Sequence, residues 1–285
     1  MSTILDGKEL SKKIRINLKN ELDKLTLTVG NKPKLAVILV GQDPASKIYV
    51  KNKSKACNEI GIEFEEYNLD ATITMDELLN LIKQLNDRED VNGILLQVPL
   101  PEHLNCNKAF EIISPIKDVD GFNPINMGKL MMGIDCFMPC TPYGIIKLLE
   151  EYNINVEGVN VVVVGRSNIV GKPLAQSLLN KSATVTICHS KTRNLSIITK
   201  QADIIISAVG KINTITKDMV KENAVVIDVG TNKDLNGKLR GDVDFDNVSK
   251  IASFITPVPG GVGPMTISML MYNTVKAWKI QNNII

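Results

Sequence analysis

The chain has 285 residues, enough for one large or two medium domains with complete hydrophobic cores. Its 33 Lys and Arg residues nearly balance 31 Asp and Glu residues, and only 4% of residues are aromatic, so nucleic-acid binding is not favoured. The first residues lack an apolar signal-peptide core and no apolar run approaches the length of a membrane span, so no membrane association is expected. Five scattered cysteines without a C-x-x-C motif, and only two histidines, predict a reduced cytoplasmic protein without a metal site.

The first half of the sequence alternates between helical and extended patterns. Helices are predicted over residues 7–25, 44–60 and 74–86, and strands over residues 34–41, 64–69 and 93–101. Such alternation is typical of a mainly parallel sheet with covering helices. The first half is therefore predicted to be an α/β domain.

The second predicted helix carries a lysine on its apolar side. At about 100° per residue, Lys53 lies within a stripe formed by Tyr49, Ala56, Cys57 and Ile60. Desolvation favours the neutral form of a lysine, which can then act as a general base. A lysine that extends past the stripe to water would give the same pattern. Ser46 and Tyr49 share this side of the helix, which favours a site.

Three further segments could contribute to a site. Gln97 lies near the carboxyl end of the strand GILLQVPLP, where α/β proteins form ligand sites, although a buried amide with satisfied hydrogen bonds would look the same. Asp118 and Asp120 lie in KDVDGF, which could be an ordinary turn; the remaining ligands of a calcium loop are missing. Pro259, Gly260 and Gly261 lie in TPVPGGVGPMT, which could bring backbone close to a flat ligand or serve as a rigid linker.

Residues 114–142 are rich in Pro, Gly and Met and are predicted to join two domains. Thr141 is interpreted as the N-cap of a helix with Pro142 in its first turn. The second half again alternates, with strands predicted over residues 159–165, 183–189, 203–208, 224–229 and 253–256, and a last helix over residues 265–281.

The run VNVVVVGRSNIVGKP predicts a buried strand that stops at Gly165 and turns into a helix near Lys172. Backbone N–H groups and the helix N-terminus at such a turn suit a phosphate, although the loop is neither G-x-G-x-x-G nor a G-K-[ST] loop and a plain α/β turn remains possible. The next strand ends in Ser190, Lys191 and Arg193 without the acid that NAD-binding domains place there. With Arg166, these groups favour NADP; a solvated basic loop is the alternative.

Together these segments resemble the bifunctional methylenetetrahydrofolate dehydrogenase/methenyltetrahydrofolate cyclohydrolase family. The motifs occur in the family's order along nearly the whole chain: VGQDPASKIYVKNKSKACNEIGI, GILLQVPLP, KDVDGFNPINMGKL, PCTPYGI, VVVVGRSNIVGKPLA, ADIIISAVG, VIDVGTN, GDVDF and TPVPGGVGPMT. One departure is Asn123, where many bacterial members have His after D-G-F. No catalytic role is expected at that position.

The resemblance implies two α/β domains that flank a cleft, the second with a Rossmann-like, mainly parallel sheet. Residues 1–141 would form a folate-binding catalytic domain, with residues 265–285 packing back onto it, and residues 142–264 would bind NADP. The family also implies a homodimer that acts on tetrahydrofolate derivatives.

Site residues follow from the matched motifs and from the patterns above. The expected catalytic residues are Lys53, Gln97 and Asp120. The expected substrate-binding residues are Tyr49, Ser46, Pro259, Gly260 and Gly261. The expected cofactor-binding residues are Gly165, Arg166, Ser167, Ser190 and Thr231.

The implied reactions are oxidation of 5,10-methylenetetrahydrofolate by NADP⁺ and hydrolysis of the methenyl product to 10-formyltetrahydrofolate. Alternatives are a family member that keeps only the dehydrogenase and a non-enzymatic NADP-sensing module. Tyr49 and Lys53 also match the spacing of the Y-x-x-x-K pair of short-chain dehydrogenases. In those enzymes, however, the pair follows the cofactor loop, whereas here it precedes the loop, which argues against that class.

Overall fold

The computed structural model describes residues 2–285. The strands, in chain order, are β1 (Thr3–Ile4), β2 (Lys34–Val40), β3 (Glu63–Leu69), β4 (Gly93–Leu96), β5 (Asn160–Val164), β6 (Thr184–Cys188), β7 (Ile204–Ser207), β8 (Val225–Asp228), β9 (Asn232–Lys233), β10 (Leu239–Arg240) and β11 (Phe254–Ile255). The helices are α1 (Gly7–Val29), α2 (Pro44–Ile60), α3 (Met75–Asp87), α4 (Cys106–Ile112), α5 (Pro124–Met131), α6 (Cys140–Glu151), α7 (Gly171–Leu179), α8 (Leu195–Thr199), α9 (Phe245–Val248) and α10 (Val262–Gln281).

The chain divides into two compact α/β units. The three-stranded unit consists of Lys12–Cys140 and Ile267–Ile285, and the six-stranded unit consists of residues 2–11 and Thr141–Thr266. Within residues 2–285, no helix combines the length and the apolar character needed to cross a membrane.

In the three-stranded unit, the strands are parallel and lie in the order β3-β2-β4. The central strand β2 has the sequence KLAVILV, and its last six residues are buried because helices cover both faces. Ile38 of β2 and Ile94 of β4 share a core with Ile82 of α3. The edge strand β3 alternates between half-buried and exposed residues over most of its length, which leaves its outer edge accessible.

In the six-stranded unit, parallel strands lie in the order β1-β11-β8-β7-β5-β6. The chain passes from β5 outwards to β6 and then returns past β5 to β7. The strand order therefore reverses beside β5, and in open α/β sheets ligands bind at the carboxyl ends of the strands at such a point. Gly165 and Ala208, which follow β5 and β7, lie at this position.

Two predictions from the sequence are corrected by the structure. Residues 2–11 do not belong with residues 12–140, because Thr3 and Ile4 pair with Phe254 and Ile255 of β11. Thr141 is not an N-cap, since α6 already begins at Cys140 and the Thr141 hydroxyl pairs with Thr266 instead, at 2.9 Å. The predicted junction 114–142 contains the boundary between the two units, at Cys140 and Thr141, and it also contains α5, which is capped by the side chain of Asn123.

Candidate functional site

The polar centre of the three-stranded unit is a hydrogen bond between Lys53 and Gln97. Asp43 caps α2 and Pro44 occupies its first turn, so the helix starts where the sequence predicts and turns Lys53 inward. The Lys53 Nζ donates to the Gln97 Oε1 at 2.8 Å. The Gln97 amide in turn donates to the carbonyl of Val98 at 2.7 Å, which fixes the orientation of the buried Gln97 side chain.

The environment of Lys53 favours its neutral form. Desolvation lowers the pKa of Lys53, and the negative charge of Asp120 opposes this effect only in part. Burial also raises the pKa of Asp120, against the opposing influence of Lys53 and of a hydrogen bond from Cys140. The two groups are thus electrostatically coupled within a partly water-excluded site, and at a given pH a larger fraction of Lys53 is neutral, and so available to accept a proton, than of an exposed lysine.

Asp120 is held in place by a turn built around Asp118. The buried Asp118 carboxylate accepts hydrogen bonds from the N–H groups of Gly121, Phe122 and Asn123, and from the side chain of Asn126. Gly121 has φ 77°, and a Cβ there would lie 2.6 Å from the carbonyl oxygen of Phe137. Asp118 therefore shapes the turn, and Asp120 is the carboxylate that interacts with Lys53.

The other residues predicted on α2 differ in exposure. Ser46 is buried in the first turn, where its N–H donates to the Asp43 carboxylate at 2.7 Å. Tyr49 is 42% exposed, one turn before Lys53 on the same side of the helix. The Tyr49 ring is therefore open to a flat ligand that approaches Lys53, whereas Ser46 contributes its backbone N–H to the start of the helix.

Pro259, Gly260 and Gly261 belong to the six-stranded unit, in a tight turn directly before α10. Gly260 has φ 112°, and the N–H of Gly261 donates to the carbonyl of Pro257 at 2.9 Å. A Cβ at Gly261 would lie 2.7 Å from the same carbonyl oxygen. The turn thus needs both glycines for its own shape.

The glycine loop after β5 is closely packed around its two glycines. Gly165 has φ 132°, and a Cβ at Gly171 would lie 2.2 Å from the carbonyl oxygen of Gly165. The Ser167 hydroxyl accepts hydrogen bonds from the N–H groups of Val170 at 3.1 Å and Gly171 at 3.4 Å, at the start of α7. The loop therefore brings backbone and a helix N-terminus to the switch point, as a nucleotide phosphate requires.

The positive groups predicted for the cofactor are exposed on the same unit. Arg166 lies in the glycine loop, and Ser190, Lys191 and Arg193 follow β6, the strand adjacent to β5. The N–H of Lys191 donates to His189 Nδ1 at 3.1 Å, which orders this turn. Thr231 is exposed after β8. These cations and hydroxyls, together with the glycine loop, fit a dinucleotide that carries a 2′-phosphate.

The sequence interpretation missed Cys140, which lies beside Asp120. Its thiol donates to the carbonyl of Val119 at 3.4 Å, and burial together with the Asp120 charge raises its pKa well above the ordinary value. Cys140 therefore stays protonated and supports the Asp120 turn instead of acting as a nucleophile. Its position in PCTP, at the start of a helix, was the available signal. In the described part of the chain, no cluster of His, Cys, Asp or Glu could hold a metal ion.

Two family descriptions match this sequence. Residues 5–120 match "Tetrahydrofolate dehydrogenase/cyclohydrolase, catalytic domain", and residues 139–282 match "Tetrahydrofolate dehydrogenase/cyclohydrolase, NAD(P)-binding domain". The "Bifunctional protein FolD" of Nautilia profundicola is 56% identical over 277 residues, which cover 97% of each chain.

Two solved structures are similar along almost their whole length. The bifunctional FolD methylenetetrahydrofolate dehydrogenase/cyclohydrolase of Campylobacter jejuni is 54% identical, with a TM-score of 0.97 over 98% of this chain and 99% of that chain. The Trypanosoma brucei dehydrogenase-cyclohydrolase, solved with NADP cofactor and an inhibitor, is 36% identical, with a TM-score of 0.94 over 98% of both chains.

Proposed function

Because the chain belongs to the tetrahydrofolate dehydrogenase/cyclohydrolase family and is an enzyme with both of its activities, we propose that one set of residues serves two consecutive reactions. The first oxidises 5,10-methylenetetrahydrofolate to the 5,10-methenyl cation with NADP⁺, and the second hydrolyses that cation to 10-formyltetrahydrofolate. The observation that carries this proposal is the hydrogen bond between the partly desolvated Lys53 and Gln97, with Asp120 electrostatically coupled to Lys53.

We assign the folate substrate to the three-stranded unit. The Asp120 carboxylate is suited to accept hydrogen bonds from the paired donors on the pteridine edge, since ionised acceptors form the stronger hydrogen bonds. The exposed Tyr49 ring can stack on the pteridine or on the aminobenzoate. Ser46, at the start of α2, would assist binding. Pro259, Gly260 and Gly261 belong to the six-stranded unit, and we propose them as further substrate-binding residues.

The oxidation step needs positioning more than acid-base chemistry. A hydride leaves the methylene carbon, and the adjacent folate nitrogens stabilise the resulting cation. Bound NADP⁺ supplies the hydride acceptor. The role of the protein is to hold the one-carbon unit in a reactive orientation, which can lower an activation barrier by roughly 7–11 kcal/mol. Lys53 and Asp120 would orient the folate for this step.

The hydrolysis step requires an activated water. Water adds to the methenyl carbon and neutral Lys53 accepts its proton. The Lys53 ammonium returns this proton to N5 as the bond from that carbon to N5 breaks, and the remaining hydroxyl proton leaves to solvent, so that the carbon becomes the formyl group on N10. Gln97 holds the Lys53 amine in line through their 2.8 Å hydrogen bond. The lowered pKa of Lys53 makes the neutral amine accessible for this proton transfer.

We assign NADP to the six-stranded unit, with the phosphates at the loop that contains Gly165, Arg166 and Ser167. Ser190 and the neighbouring cations would receive the 2′-phosphate, and Thr231 would contact the cofactor from the end of β8. The absence of an acidic residue from Ser190 through Arg193 supports NADP over NAD.

We further propose that the enzyme is a cytoplasmic homodimer. The exposed outer edge of β3 offers unpaired backbone groups that a second copy could cover. Sedimentation velocity should then give twice the mass of the chain, and a monomer at micromolar concentration would contradict the dimer.

The two activities are tested together with the purified enzyme. Methylenetetrahydrofolate is mixed with NADP⁺ or with NAD⁺, and methenyl absorbance is followed alongside formyl product. We expect reduction of NADP⁺ and release of 10-formyltetrahydrofolate. Accumulation of the methenyl compound without an enzymatic rate of hydrolysis would identify a dehydrogenase-only member, and NADP binding without turnover would identify a sensor.

A further inference from the structure

The six-stranded unit contains two buried carboxylates that the proposed mechanism does not use. Asp228 ends β8, and Asp242 follows β10; they are 3% and 0% exposed. Within residues 2–285, neither carboxylate forms an ion pair. Their negative charges are stabilised by N–H and O–H donors, an arrangement that requires many hydrogen bonds at once.

Asp242 accepts hydrogen bonds from the ends of two strands. The N–H groups of Val209, Gly210 and Lys211 donate to its carboxylate at 2.7, 3.1 and 2.9 Å. The Ser207 hydroxyl donates at 3.1 Å and the Asn232 side-chain amide at 3.0 Å. Successive N–H groups that converge in this way form an anion-binding nest. Here the chain fills the nest with its own carboxylate.

Asp228 fixes the position of Asp242. Its carboxylate accepts from the N–H groups of Gly230, Asp242 and Val243 at 2.9, 2.8 and 2.9 Å. A Cβ at Gly230 would lie 2.2 Å from Asp242 Oδ1, and a Cβ at Gly241 would lie 1.8 Å from Asp228 Oδ2. The two carboxylates can therefore approach the backbone only because glycines occupy both positions.

This cluster touches the loops assigned to the cofactor. A Cβ at Gly165 would lie 2.3 Å from the carbonyl oxygen of Ala208, so the glycine loop packs directly on the segment that Asp242 holds. Asn232 directly follows Thr231, the contact assigned to the end of β8. Asp242 thus connects the segment after β7 with the segment after β8, at the point where the strand order reverses.

We propose that Asp242 is a positioning residue for NADP: its carboxylate replaces an external anion in the nest of residues 209–211 and so holds the cofactor loops in their binding conformation. This inference rests on the proposed use of NADP by the six-stranded unit. If, without the Asp242 carboxylate, the loops adopt that conformation in only about a tenth of the molecules, the apparent Kd for NADP⁺ rises about tenfold.

The test is Asp242→Asn, which keeps the size of the side chain but places an amide donor against N–H groups. We expect the KM for NADP⁺ to rise at least about tenfold. The kcat at saturating NADP⁺, the KM for methylenetetrahydrofolate and the hydrolysis of supplied methenyl compound should stay within about twofold. A merely structural role would reduce kcat through a smaller active fraction and leave the KM for NADP⁺ unchanged.

The matched control is Asp203→Asn, at the opposite end of β7. Asp203 accepts from the N–H of Asn160 at 3.1 Å and pairs with Lys221 at 2.6 Å, so this control also removes charge-assisted hydrogen bonds from the same unit. Its KM for NADP⁺ should match that of the wild type. An equal rise in both variants would overturn the inference.

If circular dichroism shows that Asp242→Asn does not fold, Asn232→Ala provides the test instead. It removes one donor to Asp242, and a severalfold rise in the KM for NADP⁺ is expected. An unchanged KM for NADP⁺ in a folded variant would overturn the inference. Failure of the wild-type enzyme to reduce NADP⁺ would instead refute the proposed function, which separates the two results.

Discussion

Lys53 combines two requirements that oppose each other in a folded protein. A base must be able to bind a proton, whereas burial penalises the protonated ammonium. Gln97 resolves this conflict because its side-chain oxygen accepts from the lysine in either protonation state without adding charge. The helical pattern predicted the inward direction of Lys53. It could not identify the hydrogen-bond partner, which lies 44 residues further along the chain.

The first prediction concerns the pH dependence of hydrolysis. Burial lowers the pKa of Lys53 from 10.5, so the neutral base becomes populated, and kcat for hydrolysis rises, at a lower pH than for an exposed lysine. Asp120→Asn removes a negative charge that raises this pKa, so the rising limb should move to lower pH even though the maximum rate falls. Stopped-flow rates at saturating methenyl compound, corrected for uncatalysed hydrolysis, measure the rising limb in the wild type and in Asp120→Asn. A limb that stays in place in Asp120→Asn would show that Lys53 does not control it.

The second prediction concerns cofactor choice. In Ser190→Asp, the new carboxylate would face the 2′-phosphate, and such like-charge contacts typically cost several kcal/mol, so the preference for NADP over NAD should fall at least about tenfold. Ser196→Asp adds the same charge at an exposed position on α8 and should preserve the preference. Steady-state constants with both cofactors provide the measurement. Equal preferences in wild type and Ser190→Asp would place the phosphate elsewhere.

At the scale of elements, segments with a clear apolar pattern were predictable, including the short strands β7, β8 and β11, whereas β1, β9 and β10 were not. The sequence placed α2 and β2 to within one residue, because a cap, a first-turn proline or a continuous apolar run marks their ends. The strand predicted over residues 93–101 is shorter in the structure, because β4 ends at Leu96, before the prolines of the motif. β1 was missed because two residues contain no periodicity, and only pairing with β11 makes them a strand.

The third prediction tests the packing of the glycine loop against α7. In Gly171→Ala the added Cβ would lie 2.2 Å from the carbonyl oxygen of Gly165, so the loop must move and NADP affinity should fall. Overpacking of this kind costs about 1–3 kcal/mol. Gly263→Ala in α10 meets nothing within 4 Å and serves as the control, with unchanged affinity. Calorimetry with NADP⁺ measures both variants, and equal affinities would show that the loop does not bind the cofactor.

At the scale of the whole molecule, the α/β class and a mainly parallel sheet in the second half were predicted, and the structure confirms both. Five of the six strands of that sheet were predicted, and β1 was not. The unit boundaries after Cys140 and after Thr266 lie within two residues of the predicted ones, whereas the boundary after Ser11, within α1, was not predicted. A helical pattern continues unchanged through such a point. Only the residues that pack against each helical turn show to which unit that turn belongs, and those residues are distant in sequence.

The fourth prediction uses the separate units to separate the two ligands. Asp120→Ala removes the proposed acceptor for the pteridine, and loss of a buried hydrogen-bond partner costs roughly 1–3 kcal/mol, more for a charged group. Both activities should fall, since both reactions use the same folate site. NADP⁺ affinity, measured by calorimetry without folate, should change little. A variant that loses NADP⁺ affinity and keeps folate affinity would reverse the assignment of the units.

The most direct test of the account is the hydrolysis rate of Lys53→Met with supplied methenyltetrahydrofolate. Methionine has a similar length and suits the apolar side of α2, so the fold should persist and the midpoint of thermal unfolding should not decrease, because the desolvated ammonium is gone. The account predicts that enzymatic hydrolysis is nearly abolished. Hydrolysis at the wild-type rate by the folded variant would contradict it, because Lys53 would then not be the base.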